Sequence, residues 1–392
     1  MGLDTQKVDK RFEHGLSVTY RKYSHYPIAS VVINVMGAGS HSEPVYQLSH
    51  LVEHLVYMNM KSQAALIPDI YISAQTNLDS AQYSCRLPAA HAAEFCHWFQ
   101  SACQDPAAFT EQLMAREKKA IRNELNKPAN SCHDMLPDLG WAQGTEQDWS
   151  AFEALDTATV QAACESGYIS SQLHIEVAGD FSATQLTELY QVLETLDVAL
   201  KGEPAVAPVR RETVQQPKLI LNKERNLVGY FCEVTTASRN SYLAMACAHQ
   251  LFHATTPLSL YHNLRFEKGY IYNLIRAYHL FQGVGQYALF AQVQPEQAER
   301  VLEEVEAFFS GSGDALLDGF LPWAAKKSLS SQMLAMEPLS EITKRASQHY
   351  INFHLSMDEK QFYQYLSDEN LEAVYQDIRR NYFNQNIEVV KL

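Results

Sequence analysis

The second half of this chain repeats the element order of the first. Gln82-Tyr83 opens a strand that ends at Pro88, and a helix with Phe95, Trp98 and Phe99 on one side follows. Gln286-Tyr287 opens a strand 204 positions later, and Pro295 then begins a helix carrying Val301, Leu302 and Val305. Ahead of each strand lies an apolar helix with two histidines four apart, His50 and His54 in one, His249 and His253 in the other, 199 positions on. A repeat with strands and helices in each copy points to one α+β unit used twice. The expected architecture is two homologous domains, each a mixed or antiparallel β-sheet with helices packed on one face. Between them, residues 201–217 carry Pro204, Pro208 and Pro217 among charges, with little apolar periodicity, and read as a linker. The domains are therefore expected at residues 1–200 and 218–392. With 392 residues, 46% of them hydrophobic, the chain is large enough for two cores.

The first histidine pair sits in His50-Leu51-Val52-Glu53-His54. Leu48, Leu51, Val52 and Leu55 recur at helical spacing, so this is an amphipathic helix with both histidines on one face. Two neutral imidazoles held that way can take two positions of a tetrahedral Zn²⁺. Glu53 stands beside them, in reach of a water on the metal but poorly aimed to be a ligand, in the order of an inverzincin. The same residues would also suit a hydrogen-bonded cluster in a core. Asn59, just past the apolar run, is expected to end the helix. In the second copy Phe252 stands where Glu53 stands and no counterpart of Glu124 is evident downstream, so His249 and His253, which could still hold a metal, read as a degenerate, structural pair.

A further helix opens near Thr110 and stops before Pro128. Its Glu117 and Glu124 are seven apart and share a face. Two readings fit: a solvated stripe beside Lys118 and Arg122, or a third zinc ligand with a supporting partner. Strands are expected at residues 16–20, 29–35, 70–76, 82–87 and 173–180. Residues 139–167 read as polar and irregular apart from a helix through 160–163.

Net charge is −14, which argues against nucleic acid as a partner. No apolar run approaches the roughly 20 residues of a membrane span. The segment Met1–Lys7 has no apolar stretch of the kind a secretory signal needs. The seven cysteines are scattered without a C-x-x-C pair, which suits reduced thiols in a cytosol, and a bacterial one by the absence of a transit peptide.

Assembled, these residues resemble the M16 metallopeptidases, the insulinase, pitrilysin and mitochondrial processing peptidase family, in its short two-domain form. The resemblance rests on Gly39-Ser40 with Glu43, on His50-Leu51-Val52-Glu53-His54, on Ala74-Gln75-Thr76, on Glu117 with Glu124, and on Leu264-Arg265-Phe266-Glu267-Lys268-Gly269-Tyr270-Ile271-Tyr272. It implies a zinc metallopeptidase with one Zn²⁺ per chain, held by His50, His54 and Glu124 and supported by Glu117. Glu53 would be the base, Arg265 and Tyr272 would hold and polarise substrate, and Ser73, Ala74, Gln75 and Thr76 would form a strand that takes a peptide by β-addition. It further implies a chamber closed by dimerisation, either as a homodimer completed in trans or with a homologous partner chain. The competing expectation is a non-catalytic or partner-dependent peptide-binding subunit. The chain departs from the family at Gln47, where Gly is usual, at Ser73, where Asn is usual, and at Asn59-Met60, where Gly-Thr is usual.

Overall fold

The computed structural model describes residues 7–24, 28–41, 43–65, 67, 70–105, 109–125, 147–196, 215–235, 239–281, 284–335, 339–353, 368–383 and 385–392. They fall into two compact units, each built around one sheet. The expected linker lies outside the described residues apart from 215–217.

In the first unit, β1 (Lys7–Arg11), β2 (Ser17–Lys22), β3 (Ile28–Met36), β4 (Tyr71–Thr76), β5 (Ser80–Pro88) and β6 (Leu173–Gly179) form a sheet in the order β1-β2-β6-β3-β5-β4. β2 and β6 run parallel and every other pair is antiparallel. The register of β3 follows from its period-two alternation. Val31, Ile33 and Val35 join a core with Tyr83 and Cys85 of β5, while Ser30 and Asn34 point to the other face. That core is closed by α1 (Leu48–Ala64) and α2 (Ala92–Gln104), through Leu51, Leu55, Val56, Phe95 and Phe99. α3 (Glu111–Leu125) lies against α1, and α4 (Trp149–Ala154), α5 (Thr157–Gly167) and α6 (Ala183–Thr195) follow along the chain. α4 occupies part of what reads in the sequence as irregular chain. α1 also runs past Asn59, whose side chain donates to Leu55 O at 2.9 Å from inside the helix instead of ending it.

The second unit has β7 (Lys218–Asn222), β8 (Leu227–Thr235), β9 (Ile271–Phe281), β10 (Val284–Val293) and β11 (Glu388–Lys391), ordered β11-β7-β8-β10-β9. Its helices are α7 (Arg239–Phe252), the short α8 (Leu260–His262), α9 (Ala298–Ser310), α10 (Asp314–Ala335) and α12 (Asp368–Tyr382). Phe252, Tyr287, Phe309, Tyr382 and Phe383 pack edge to face at its centre.

The units are not simple halves of the chain. Residues 339–353 belong to the first unit, although they follow the linker and are expected in the second domain. Within them α11 (Leu339–Phe353) lies on the sheet face opposite α1. The physical reason is a polar match. Ser30 Oγ meets Thr343 Oγ1 at 2.6 Å, Asn34 and Gln82 both donate to Ser347 Oγ, and Tyr350 stacks on His174. The sheet thus carries the expected helices on one face and one further helix on the other. Polar side chains that resemble a solvent face are satisfied by a helix.

Candidate metal centre

α1 begins where the chain makes a tight approach. A Cβ on Gly39 would stand 2.3 Å from Leu78 O, so only glycine fits there. Ser40 N–H and His41 N–H donate to Asn77 O and Leu78 O across that contact. The buried Glu43 then caps the helix, accepting from Gln47 N–H at 2.8 Å and Ser49 N–H at 2.7 Å. A carboxylate there satisfies orphan donors and faces the positive end of the helix. Leu48, Leu51, Val52, Leu55, Val56 and Met60 bury the opposite face.

On the remaining face, His50 and His54 place their rings edge to face with centroids 4.7 Å apart. Each ring is held through Nδ1: His50 by Gln47 Oε1 at 2.7 Å, His54 by Glu117 Oε2 at 3.0 Å. Both Nε2 atoms therefore face the space beside α3. There Glu124 Oε2 lies 3.9 Å from His50 Nε2 and 3.7 Å from His54 Nε2. Metal bonds of about 2.0–2.1 Å in a tetrahedron separate the ligand atoms by roughly 3.3–3.4 Å, so a shift of a few tenths of an ångström closes the set. Two imidazoles and a carboxylate, each imidazole oriented from behind, fit Zn²⁺. Among the described residues this is the one group of three or more His, Cys, Asp or Glu so placed.

Glu53 Oε2 lies 3.9 Å from His50 Nε2 and accepts from Thr76 Oγ1 at 3.4 Å. Burial pushes its carboxyl up to about 8, against the Thr76 hydrogen bond, and the charges of Glu124 and Glu117 push the same way. Burial, and then the neighbouring His54, lowers His50 to about 4, so its imidazole is neutral at pH 7, the form that binds metal. Glu53, Glu117 and Glu124 crowd beside the two rings, a setting that suits a dication.

These residues line a cleft of about 610 Å³ that also takes in Ser73, Ala74, Gln75 and Thr76. Among the described residues β4 pairs with β5 alone and is an edge of its sheet. Ser73 is tied to Ser84 at 2.7 Å and Gln75 to Gln82 at 3.2 Å, both on β5. Arg265 and Tyr272 lie in the second unit, beside each other. The Arg265 guanidinium sits 4.6 Å from the Tyr272 ring centroid and donates to Ile271 O, and Tyr272 is 80% exposed.

The second histidine pair holds a built-in cation. Arg276 donates to His249 O at 2.8 Å, and burial, then Arg276 itself, pulls His249 down to about 3. Phe252 lies in the aromatic core. The sequence pattern points to His50, His54, Glu53, Glu117 and Glu124, which the structure brings together. Gln47 has no assigned role in that pattern, and its only signal is its i, i+3 spacing from His50.

Residues 156–313 match the family model described as peptidase M16 inactive domain. The matched segment starts beyond His50, His54 and Glu124. No curated protein matches the chain. Among solved structures, a peptidase M16 inactive domain from Pseudomonas fluorescens is 14% identical with a TM-score of 0.78, over 100% of this chain and 99% of that one. A protease from Helicobacter pylori is 14% identical with a TM-score of 0.77, over 99% of this chain and 100% of the other. The periplasmic protease PqqL from Escherichia coli is 15% identical with a TM-score of 0.72, and all of this chain spans 48% of it. At these identities the likeness establishes the fold.

Proposed function

We propose that this chain, which belongs to the M16 peptidase family, is a zinc-dependent endopeptidase acting on short or unfolded peptides. The observation that carries this reading is the convergence of His50, His54 and Glu124 beside Glu53. His50, His54 and Glu124 would hold one Zn²⁺ per chain. When bound, that ion supplies Lewis-acid chemistry, acidifying a water and polarising a carbonyl. Ionised beside a bound dication, Glu53 would take the proton of the attacking water and deliver it to the leaving amine, with Thr76 fixing the carboxyl that does so. Glu117 keeps the His54 ring turned toward Glu124. A substrate backbone adds to β4 at Ser73–Thr76, an edge of the sheet among the described residues, where main-chain bonds supply affinity for an extended peptide.

In this reading two copies pair, so that Arg265 of one chain orients substrate in the cleft of the other and Tyr272 donates to the developing oxyanion. The exposed Tyr272 and Phe266 support such a surface. The six described cysteines are buried free thiols, which fits a reducing cytosol. No helix among the described residues is long and apolar enough to cross a membrane.

A partner-dependent peptide-binding subunit is the second reading. It is favoured by the description of the matched model as an inactive domain and by PqqL, of which this chain spans 48%. Zinc-loaded protein and an unstructured peptide library separate the two. The wild type cleaves, while Glu53→Gln keeps zinc and peptide binding and loses roughly 10²–10⁴ in turnover. Zinc and peptide binding without any cleavage supports the second reading. Mixing Glu53→Gln with Arg265→Ala chains restores about a quarter of the activity if sites are completed in trans, and none if they are not.

A further inference from the structure

The residue before α1 is in a conformation its side chain does not favour. Gln47 has φ 62° and ψ 15°, and among the described residues only Asn226 and Leu258 share a positive φ without being glycine. Glycine would hold this backbone without strain, and its N–H would donate to Glu43 equally well. What glycine would not do is reach His50. The Gln47 side chain lines the cleft, and its Oε1 lies 2.7 Å from His50 Nδ1. An amide oxygen there requires the proton on Nδ1, which leaves the Nε2 lone pair free and facing Glu124.

We infer that Gln47 is a positioning residue, whose amide oxygen holds His50 as the Nδ1–H tautomer with Nε2 presented to a metal. The left-handed backbone aims the side chain one turn up the helix at that ring. Strain is thereby placed beside the chemistry, where a residue that is poor for the backbone is good for the ligand set. The inference deepens the zinc reading above and rests on it for the metal, while the tautomer it assigns belongs to the metal-free protein.

The test uses the full chain and two variants. In metal-free wild type, ring ¹⁵N shifts of labelled histidine show His50 as Nδ1–H, and Gln47→Gly moves it toward Nε2–H. Gln47→Gly melts about 2–4 °C above the wild type without metal, because a strained residue is gone. Its Zn²⁺ affinity, by competition with a chromophoric chelator, falls roughly 10–100-fold. Gln47→Glu, which keeps an acceptor at the same reach, restores both the tautomer and the affinity. A merely structural role predicts the opposite for glycine: equal or better affinity and an unmoved tautomer. The inference is overturned if wild-type His50 is Nε2–H, if Gln47→Gly binds zinc within twofold of wild type, or if Gln47→Glu fails to rescue. A wild type with the Nδ1–H tautomer that binds no zinc overturns the metal reading and upholds the positioning.

Discussion

Removing the Glu43 side chain should loosen the first unit and α1 together. The carboxylate is 7% exposed and accepts two backbone N–H groups at the start of α1, those of Gln47 and Ser49. Glu43→Ala leaves both donors without this partner. An unsatisfied buried donor costs about 1–3 kcal/mol, so the loss is about 2–4 kcal/mol once some water has entered. In a unit of roughly 200 residues each kcal/mol moves the melting temperature about 2–4 °C, giving a drop of roughly 5–15 °C. Glu43→Gln retains one oxygen acceptor and should lose about half as much. The assay is thermal unfolding of the full chain in chelator, followed by circular dichroism, so that no metal contributes. His50 sits in the first turn of the loosened helix, so zinc affinity should fall in the same order of variants. Melting of Glu43→Ala within 1 °C of wild type would refute the cap as the anchor of α1.

Acid should find the second histidine pair. His249 is held near 3 in the fold against an ordinary value of about 6.5, so unfolding takes up a proton between those two pH values. Its contribution is present above about 6.5 and lost as pH falls toward 3, at up to about 1.4 kcal/mol per pH unit. Urea melts at pH 7, 5.5 and 4 should therefore show His249→Gln losing stability more slowly than wild type, and parallel curves would contradict the burial of a neutral ring. Burial also pushes the thiols of Cys96, Cys232 and Cys247 up to about 12. Iodoacetamide at pH 8 should leave these three unmodified in the native protein and modify them in guanidinium, and native labelling by mass spectrometry would show the reasoning wrong. Glu117→Ala should cost roughly 10–100-fold in zinc affinity, because His54 loses the acceptor that turns its ring, and unchanged affinity in a chelator competition would remove Glu117 from that role.

What could be read from the residues was whatever a local period carries. Val31, Ile33 and Val35 alternate, Leu48, Leu51 and Leu55 return every turn, and Glu117 and Glu124 share a helix face, so β3, α1 and α3 were legible, with the histidines and carboxylates that α1 and α3 bring near one another. What escaped depends on partners far along the chain. Ser30 and Asn34 resemble a solvent face until Thr343 and Ser347 arrive from more than 300 residues away. Asn59 resembles a helix stop until its amide bonds back to Leu55. Arg276, which places a cation beside His249, comes from a strand that no histidine spacing announces. Gln47 shows its cost only through φ, which composition does not encode.

Zinc content per chain tests the central claim most directly. The full-length wild type and its His50→Ala, His54→Ala and Glu124→Ala variants would be incubated with zinc, passed through a desalting column and measured by plasma mass spectrometry. About one zinc per wild-type chain and near none in each variant is the expected result, since the proposed site has three protein ligands and none is spare. No zinc in the folded wild type, or full retention in all three variants, would contradict it.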